Sequence, residues 1–440
     1  MLGKSGSDPD LQIIFKKRGQ TPKLKKNSKP RPAIAICKFN FQLAKAKHFY
    51  YHSYMIPRIA EHRIRSLCAQ FPAIIITGPR QSGKTTLAKA LFPDRPYLNL
   101  ELPDTLERIS HDPRGTLYPL RRSGAVIDEA QRFPEISSWL QGIIDEEPKA
   151  GTWILTGSDQ PGLRQSVSQT LVGRAAYARL FPFVSDELSG NPIFSSSSTD
   201  EIIQRGWYPP LFDRPFVPSD WYEQYVALYL ERDLSRLINI KDLSQFRKFF
   251  SLCAGRTGQL LNLSDLARDT GTSHTTARSW LSVLEQSFIV FELQPFYRNF
   301  QKRIIKSPKL YFYDSGLAAW LIGIREPGQV TNHPLRGNLF ETMVIADIIK
   351  RSEAIGTGER FSFWNAPSSG EVDLVIERGT EISAIEVKST ATFRPELASG
   401  LEKWSRLASL PPERLAIAYD GNERFQFKGI NIIPWRAFGQ

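Results

Sequence analysis

At 440 residues, with 41% hydrophobic and 23% charged side chains, the chain has a soluble globular composition and is long enough for about two to four domains. No apolar run approaches the roughly 20 residues that span a bilayer, so no membrane contact is expected. Cys37, Cys68 and Cys253 are too dispersed for a disulfide framework or a metal-ligand cluster, which suits a cytoplasmic location. The formal charge of +12 sits mostly in residues 1–54, where ten Lys and two Arg face only Asp8 and Asp10. The rest of the chain is nearly neutral, so any nucleic-acid site there must be a local patch.

In chain order, residues 1–54 lack helical or strand periodicity and the continuous apolar core of a secretory signal, and read as a disordered basic extension. Met55-Ile56-Pro57-Arg58 opens the first folded domain. Residues 73–77 form an apolar run suited to a buried parallel strand, and Leu87, Ala90 and Leu91 mark the inner face of the helix that follows. Further short strands are expected at 97–100, 125–127 and 153–156, separated by helical segments, which is the alternation of an open α/β sheet. Residues 195–198 read as a surface loop or linker. From 220 to 293 the pattern is mostly helical and ends in a strand at 288–293, and the last hundred residues return to strands, clearest at 371–377 and 382–388. The expected division is 1–54, 55–195, 196–330 and 331–440.

Gly78-Pro79-Arg80-Gln81-Ser82-Gly83-Lys84-Thr85 fits G-x-x-x-x-G-K-[ST], with a strand before it and an amphipathic helix after it. Glycines let backbone N–H groups close around phosphate oxygens, and the helix N-terminus adds positive partial charge. Lys84 is placed to reach the β- and γ-phosphates of a nucleoside triphosphate and the Thr85 hydroxyl to ligate Mg²⁺. Gly124-Ala125-Val126-Ile127-Asp128-Glu129 is an apolar strand ending in two carboxylates, which assigns Asp128 to the metal and Glu129 to the attacking water. The strand at 153–156 runs into Gly157-Ser158, whose hydroxyl is a candidate for the γ-phosphate or the lytic water. Arg174 is a candidate arginine finger. If it acts in trans, the protein is a homo-oligomer.

These pieces occur in a telling order. Ile56-Pro57-Arg58 precedes the phosphate loop with its following Thr86, then come Asp128-Glu129-Ala130-Gln131, Leu155-Thr156-Gly157-Ser158, Gly173-Arg174 and Leu180-Phe181-Pro182-Phe183. Gly206-Trp207-Tyr208-Pro209, Tyr229-Leu230-Glu231-Arg232-Asp233 and Tyr313-Asp314-Ser315-Gly316-Leu317 continue the series. The chain resembles the prokaryotic AAA-superfamily ATPases with a C-terminal domain of unknown function, from about Met55 to the end. The resemblance implies ATP as the nucleotide and a P-loop AAA-type core, and leaves the biological role open.

Residues 263–269, a turn at Thr270-Gly271-Thr272 and residues 273–286 read as a helix-turn-helix, with Ser273 as N-cap and Ala277, Trp280, Leu281 and Leu284 as the buried stripe. His274, Thr275, Arg278 and Ser279 are left on the exposed face, where a recognition helix meets a major groove. Strands at 288–293 and 309–313 would complete a winged helix. The loop 298–306 between them, with Arg298, Lys302, Arg303 and Lys306 beside Phe296, Tyr297 and Phe300, is the best local candidate for DNA phosphates.

Near the C-terminus, Glu371-Val372-Asp373-Leu374-Val375-Ile376 and Ile385-Glu386-Val387-Lys388 resemble the PD-(D/E)XK nuclease core, and Glu341 matches its additional helix-borne acid. A hairpin register with Asp373 opposite Glu386 unites the carboxylates, a one-residue slip separates them, and the sequence does not decide between the two. In such a site Asp373 and Glu386 hold Mg²⁺ while Lys388 orients water. The expected fold is thus α/β: an ATPase core, a mainly helical winged-helix region and an α/β nuclease-like domain. Two functions remain in play. One is an ATPase coupled to DNA, with or without DNA cleavage. The other is a nucleotide-switched interaction protein whose nuclease-like domain is catalytically inactive.

Overall fold

The computed structural model describes residues 55–158, 170–230, 243–296, 307–366 and 370–438. The basic extension 1–54 and the loop 298–306 lie outside the described residues, as does Glu231-Arg232-Asp233.

Ala73-Ile74-Ile75-Ile76-Thr77 has no face to give to water, so its strand must be covered on both sides. It forms β1 (Ala73–Thr77), and every residue of it is buried. It joins β2 (Tyr97–Asn99), β3 (Ala125–Asp128), β4 (Trp153–Gly157) and β5 (Ala175–Arg179) in a sheet of order β2-β3-β4-β1-β5. All its pairings are parallel. Alternation along the strands divides the core. Ile74, Ile76, Val126 and Ile154 pack on helices α1 (Ala60–Cys68) and α2 (Lys84–Leu91). Ile75, Ile127 and Leu155 pack on α3 (Ile136–Glu146) on the other face. The registers Thr77↔Gly157 and Ile127↔Leu155 bring the carboxyl ends of β1, β3 and β4 to one edge, where open α/β sheets bind ligands.

The second half of the chain is built on a nine-stranded sheet. Its members are β6 (Gln259–Leu260), β7 (Val290–Pro295), β8 (Lys309–Phe312), β9 (Arg360–Ala366), β10 (Gly370–Arg378), β11 (Glu381–Lys388), β12 (Leu415–Tyr419), β13 (Phe425–Phe427) and β14 (Ile430–Pro434). Their order is β13-β14-β12-β11-β10-β9-β7-β8-β6. Helices α4 (Leu263–Thr270) and α5 (His274–Gln286) precede the β7/β8 hairpin, and Ser273 caps α5 by accepting from Thr276 N at 3.0 Å. Ala277, Trp280, Leu281 and Leu284 are buried. The strand expected from 288 begins later, at Val290. Phe288 instead ends α5 in a left-handed turn (φ 56°), and Ile289 N returns to Leu284 O at 2.9 Å, which closes the helix. Residues 195–198 hold the end of a short helix, Pro192–Ser196, and the Ser198 cap of the next, Thr199–Arg205.

The hairpin pairs with the C-terminal strands: β7 runs parallel to β9, with Gln294 opposite Ser362 and Pro295 opposite Phe363. α6 (Arg336–Ile355) and α7 (Ser399–Ala408) complete the C-terminal part. One buried cluster extends from Phe183 and Trp207 through Leu281 and Phe312 to Phe340, Leu374 and Trp435. Among the described residues no helix is long and apolar enough to cross a membrane.

Asp314 explains why two of the sequence motifs go together. Buried at the start of the helix Ser315–Leu321, it accepts from Leu317 N and Trp207 N, both at 2.7 Å, and from Tyr222 Oη at 2.6 Å. Gly206 (φ 72°) is required beside it, because a Cβ there would lie 2.0 Å from the Tyr222 oxygen. Asp314→Ala orphans the buried Leu317 and Trp207 N–H groups and leaves Tyr222 Oη with only Arg205 O at 3.0 Å, and we expect it to lower the unfolding free energy by about 3 kcal/mol. Urea denaturation checks this, and an unchanged midpoint contradicts the assignment.

Candidate functional site

The phosphate loop leaves β1 at Gly78, whose backbone (φ 154°) passes so close to β5 that a Cβ would stand 2.0 Å from Leu180 O. Gln81 (φ 58°) and Gly83 (φ 92°) complete the turn into α2. Lys84 folds back under this loop and donates to Gly78 O at 3.0 Å and Pro79 O at 2.8 Å. Burial pulls its ammonium down to about 8, against the opposing pull of Glu129 and Asp128. It is an ammonium short of negative charge. Thr85 Oγ1 donates to Asp128 at 2.9 and 3.1 Å, and the hydroxyls of Thr156 and Tyr97 also donate to that carboxylate. Burial and the Asp128 contact push the Tyr97 phenol well above its usual range.

Glu129 follows Asp128 in a left-handed conformation (φ 55°), which swings its side chain toward the end of β4. Its Oε2 accepts from Ser158 Oγ at 3.1 Å and from Gln131 Nε2. The loop residues 78–86, Asp128, Glu129 and Ser158 therefore share one edge of the sheet. Arg174 does not. It stands before β5, where its carbonyl accepts from Ala73 N at 3.0 Å, one strand length, about 16 Å, from the loop. Its guanidinium grips Asp145 through Nε at 2.5 Å and Nη2 at 2.9 Å.

Arg58 is the residue that sequence reasoning missed here. Eight percent exposed, it donates from Nη1 to Ser82 O at 2.7 Å, from Nη2 to Phe181 O at 2.6 Å and from Nε to Glu187 at 3.0 Å. It holds the phosphate loop from behind. Its place in Ile56-Pro57-Arg58 gave only a domain start, because its partners lie 24 to 129 residues away.

A second cluster lies in the C-terminal half. Leu374 pairs with Ile385 across β10 and β11, the register that sets Asp373 beside Glu386. Val387 N donates to Asp373 Oδ2 at 2.8 Å, and Lys388 Nζ to Glu386 Oε1 at 2.6 Å. α6 delivers Glu341, which accepts from Tyr311 Oη at 2.5 Å. Lys309, unflagged in the sequence, enters from β8 and lies 3.1 Å from Glu341, 2.6 Å from Glu371 and 3.7 Å from Asp373. Burial and the nearby Asp373 push Glu341 up to about 7 and Glu386 up to about 8, and burial also raises Asp373. For Lys309 burial pulls downward, and Glu341, Asp373 and Glu371 together outweigh it and raise the ammonium. On α5, His274, Thr275, Arg278 and Ser279 are exposed, and Arg278 is paired with Glu292 of β7 at 2.7 Å.

Residues 70–189 match the family described as AAA domain. Residues 196–328 match a domain of unknown function, DUF8612, and 336–438 another, DUF4143. Over 375 residues, 84% of this chain and 81% of each relative, the sequence is 32% identical to the uncharacterized protein Rv2008c of Mycobacterium tuberculosis and to the uncharacterized protein Mb2031c of Mycobacterium bovis. The chain belongs to their family. The segment that carries the phosphate loop is an AAA-superfamily ATPase domain. Among solved structures, the Walker-type ATPase of Pyrococcus abyssi is 14% identical, with TM-score 0.42 over 60% of this chain and 94% of that one. The RuvB Holliday junction branch migration motor of Thermotoga maritima is 16% identical, with TM-score 0.27 over 53% of this chain and 88% of that one. At these scores the likeness in overall shape is low, and the assignment rests on the sequence family.

The raised carboxyl groups of the second cluster have a measurable consequence. Between the usual carboxylate value and about 8, the folded chain holds protons on Glu341 and Glu386 that the unfolded chain releases. Their contribution to stability is complete below that window and is lost as pH rises through it. Urea denaturation of the protein from pH 5 to 8 should give a falling component that Glu386→Gln flattens. A slope unchanged by that substitution contradicts the assignment.

Proposed function

We propose that the protein is a Mg²⁺-dependent ATP hydrolase in which Glu129 is the general base. The observation that carries this reading is the convergence of Lys84, Thr85, Asp128, Glu129 and Ser158 on one strand edge behind a glycine-shaped loop. The hydroxyl and carboxylate oxygens of Thr85 and Asp128 are hard ligands of the kind Mg²⁺ takes. When bound there, Mg²⁺ neutralises charge on the phosphate oxygens.

The chain's own groups supply the rest. Lys84 exchanges the Gly78 and Pro79 carbonyls for phosphate oxygens, which gives a charge-starved ammonium the anion it lacks. Arg58 keeps Ser82 and the backbone of the loop in place while that exchange occurs. Glu129 takes a proton from the water that attacks the γ-phosphorus, the bond to the bridging oxygen breaks, and ADP and phosphate leave. In the present arrangement Ser158 and Gln131 both donate to Glu129 Oε2 and orient the carboxylate, which leaves Oε1 to accept that proton. Arg174 meets a nucleotide only on a neighbouring copy, so a finger role for it requires a homo-oligomer.

The test is Mg²⁺-dependent ATP hydrolysis with and without DNA, with the DNA inspected in the same tubes. Glu129→Gln should keep ATP binding and lose about 10²-fold or more in turnover, whereas Lys84→Ala should lose both. Turnover that survives in Glu129→Gln removes Glu129 as base. Stimulation by DNA supports coupling through the helix-turn-helix segment, and a rate indifferent to DNA counts against it.

A further inference from the structure

The resemblance of β10 and β11 to a nuclease core implies Mg²⁺ held by Asp373 and Glu386, and the residues present do not fit it. The point toward which Glu341, Glu371 and Asp373 converge is taken by Lys309 Nζ, at 3.1, 2.6 and 3.7 Å, on a side chain 5% exposed. A protonated amine has no lone pair and cannot ligate a metal. Mg²⁺ needs near-octahedral oxygens at about 2.0–2.1 Å, and an ammonium a few ångström away in a buried site repels it. The other acid is also engaged, since Glu386 Oε1 accepts from Lys388 at 2.6 Å. Glu386 Oε2 is buried without a hydrogen-bond partner, but one oxygen is no coordination shell. Among the described residues no three carboxylate, histidine or cysteine groups are placed to hold a metal ion.

We propose that Lys309 is the resident cation of this cluster, that the cluster takes no divalent metal, and that it serves as a buried clasp. The lysine joins three elements that are distant in sequence. It starts β8, and its carboxylate partners lie on α6 (Glu341) and β10 (Glu371 and Asp373). Tyr311, two residues along β8 and on the same face, repeats the contact by donating to Glu341 at 2.5 Å. The clasp therefore fixes the hairpin of the middle segment to the C-terminal sheet, adding to the short β7/β9 pairing of Gln294 and Pro295. With its carboxylates committed to an ammonium, the C-terminal module holds position and does not cleave phosphodiesters by metal-activated water. The inference is independent of the nucleotide site.

Mn²⁺ binding to the full-length chain, read by electron paramagnetic resonance, tests it. Asp128→Asn is included throughout so that the nucleotide site does not contribute. With Lys309 in place, up to ~1 mM Mn²⁺ should bind no more than in a chain that also carries Asp373→Asn, and supercoiled DNA should stay intact in Mg²⁺. Stoichiometric Mn²⁺ that Asp373→Asn removes, or Mg²⁺-dependent nicking lost in the same variant, overturns the proposal. Lys309→Met should melt at a lower temperature, because it leaves Glu341, Glu371 and Asp373 without their buried cation. A Lys309→Met protein that melts like the unsubstituted chain overturns the clasp. If Lys309→Met does not fold, the measurement with Lys309 in place still decides whether metal enters, and Lys309→Arg, which keeps the charge, should restore folding. A Lys309→Arg chain that also fails to fold would overturn the role as a charge clasp.

Discussion

A buried guanidinium must be satisfied on every side, and Arg58 meets that demand by drawing together parts of the chain that share no sequence neighbourhood. Its side chain donates to Ser82 O behind the phosphate loop, to Phe181 O after β5 and to Glu187. Glu187 is itself fully used, since it also accepts from Ile59 N at 2.9 Å and Val184 N at 3.1 Å. Removing either partner would strand a charge in the interior, which is why such a pair fixes geometry even where its net contribution to stability is small. From the same residues the contacts continue outward. The Phe181 ring stacks on Tyr313 at 4.6 Å and meets Phe288 edge-on at 5.3 Å, so the carbonyl that anchors Arg58 belongs to a residue packed on the β7/β8 hairpin. α6 adds its own tie, with Lys350 donating to Phe183 O at 2.8 Å and Asp347 accepting from Ser185.

What the sequence made legible follows from how local each constraint is. The phosphate loop could be read because its chemistry is written within eight consecutive residues and its glycines answer a backbone requirement that the structure displays at Gly78 and Gly83. Asp128 and Glu129 were legible for a related reason, as the abrupt carboxylate end of a fully buried strand. The stripe of α5 and its Ser273 cap follow from helical periodicity alone. Register was not legible. Whether Asp373 faces Glu386 depends on the pairing of β10 with β11, and the alternation within either strand is compatible with more than one partner offset.

Arg58 and Lys309 were illegible for a different reason. Each is a single basic residue at the threshold of a helix or strand, the commonest place for an unremarkable surface charge. Their meaning lies entirely in carboxylates and carbonyls 24 or more residues away. Arg174 is the converse case. Its sequence position suits a catalytic finger, yet within the chain it closes on Asp145 at the far end of the sheet.

Three buried lysines among the described residues show how the same side chain acquires opposite roles. Lys84 is under-compensated: burial outweighs Glu129 and Asp128, its pKa falls to about 8, and it donates to the loop carbonyls of Gly78 and Pro79. Lys309 is over-compensated, with three carboxylates around it and a raised pKa. Charge deficit alone does not make an anion site, as Lys350 shows. Burial lowers it to about 8 as well, but it is enclosed by the Phe183 carbonyl and the Trp207 ring, 4.8 Å away. What separates Lys84 from Lys350 is the element that holds it, since Lys84 starts α2 beneath a glycine-shaped loop and Lys350 lies within α6. A glycine-built loop can exchange its own carbonyl contacts for those of an incoming phosphate, and a helix side chain sealed against a tryptophan cannot. Deficit beneath a glycine-shaped loop suits the role proposed for Lys84, while excess marks Lys309 as an ammonium that has its anions inside the fold.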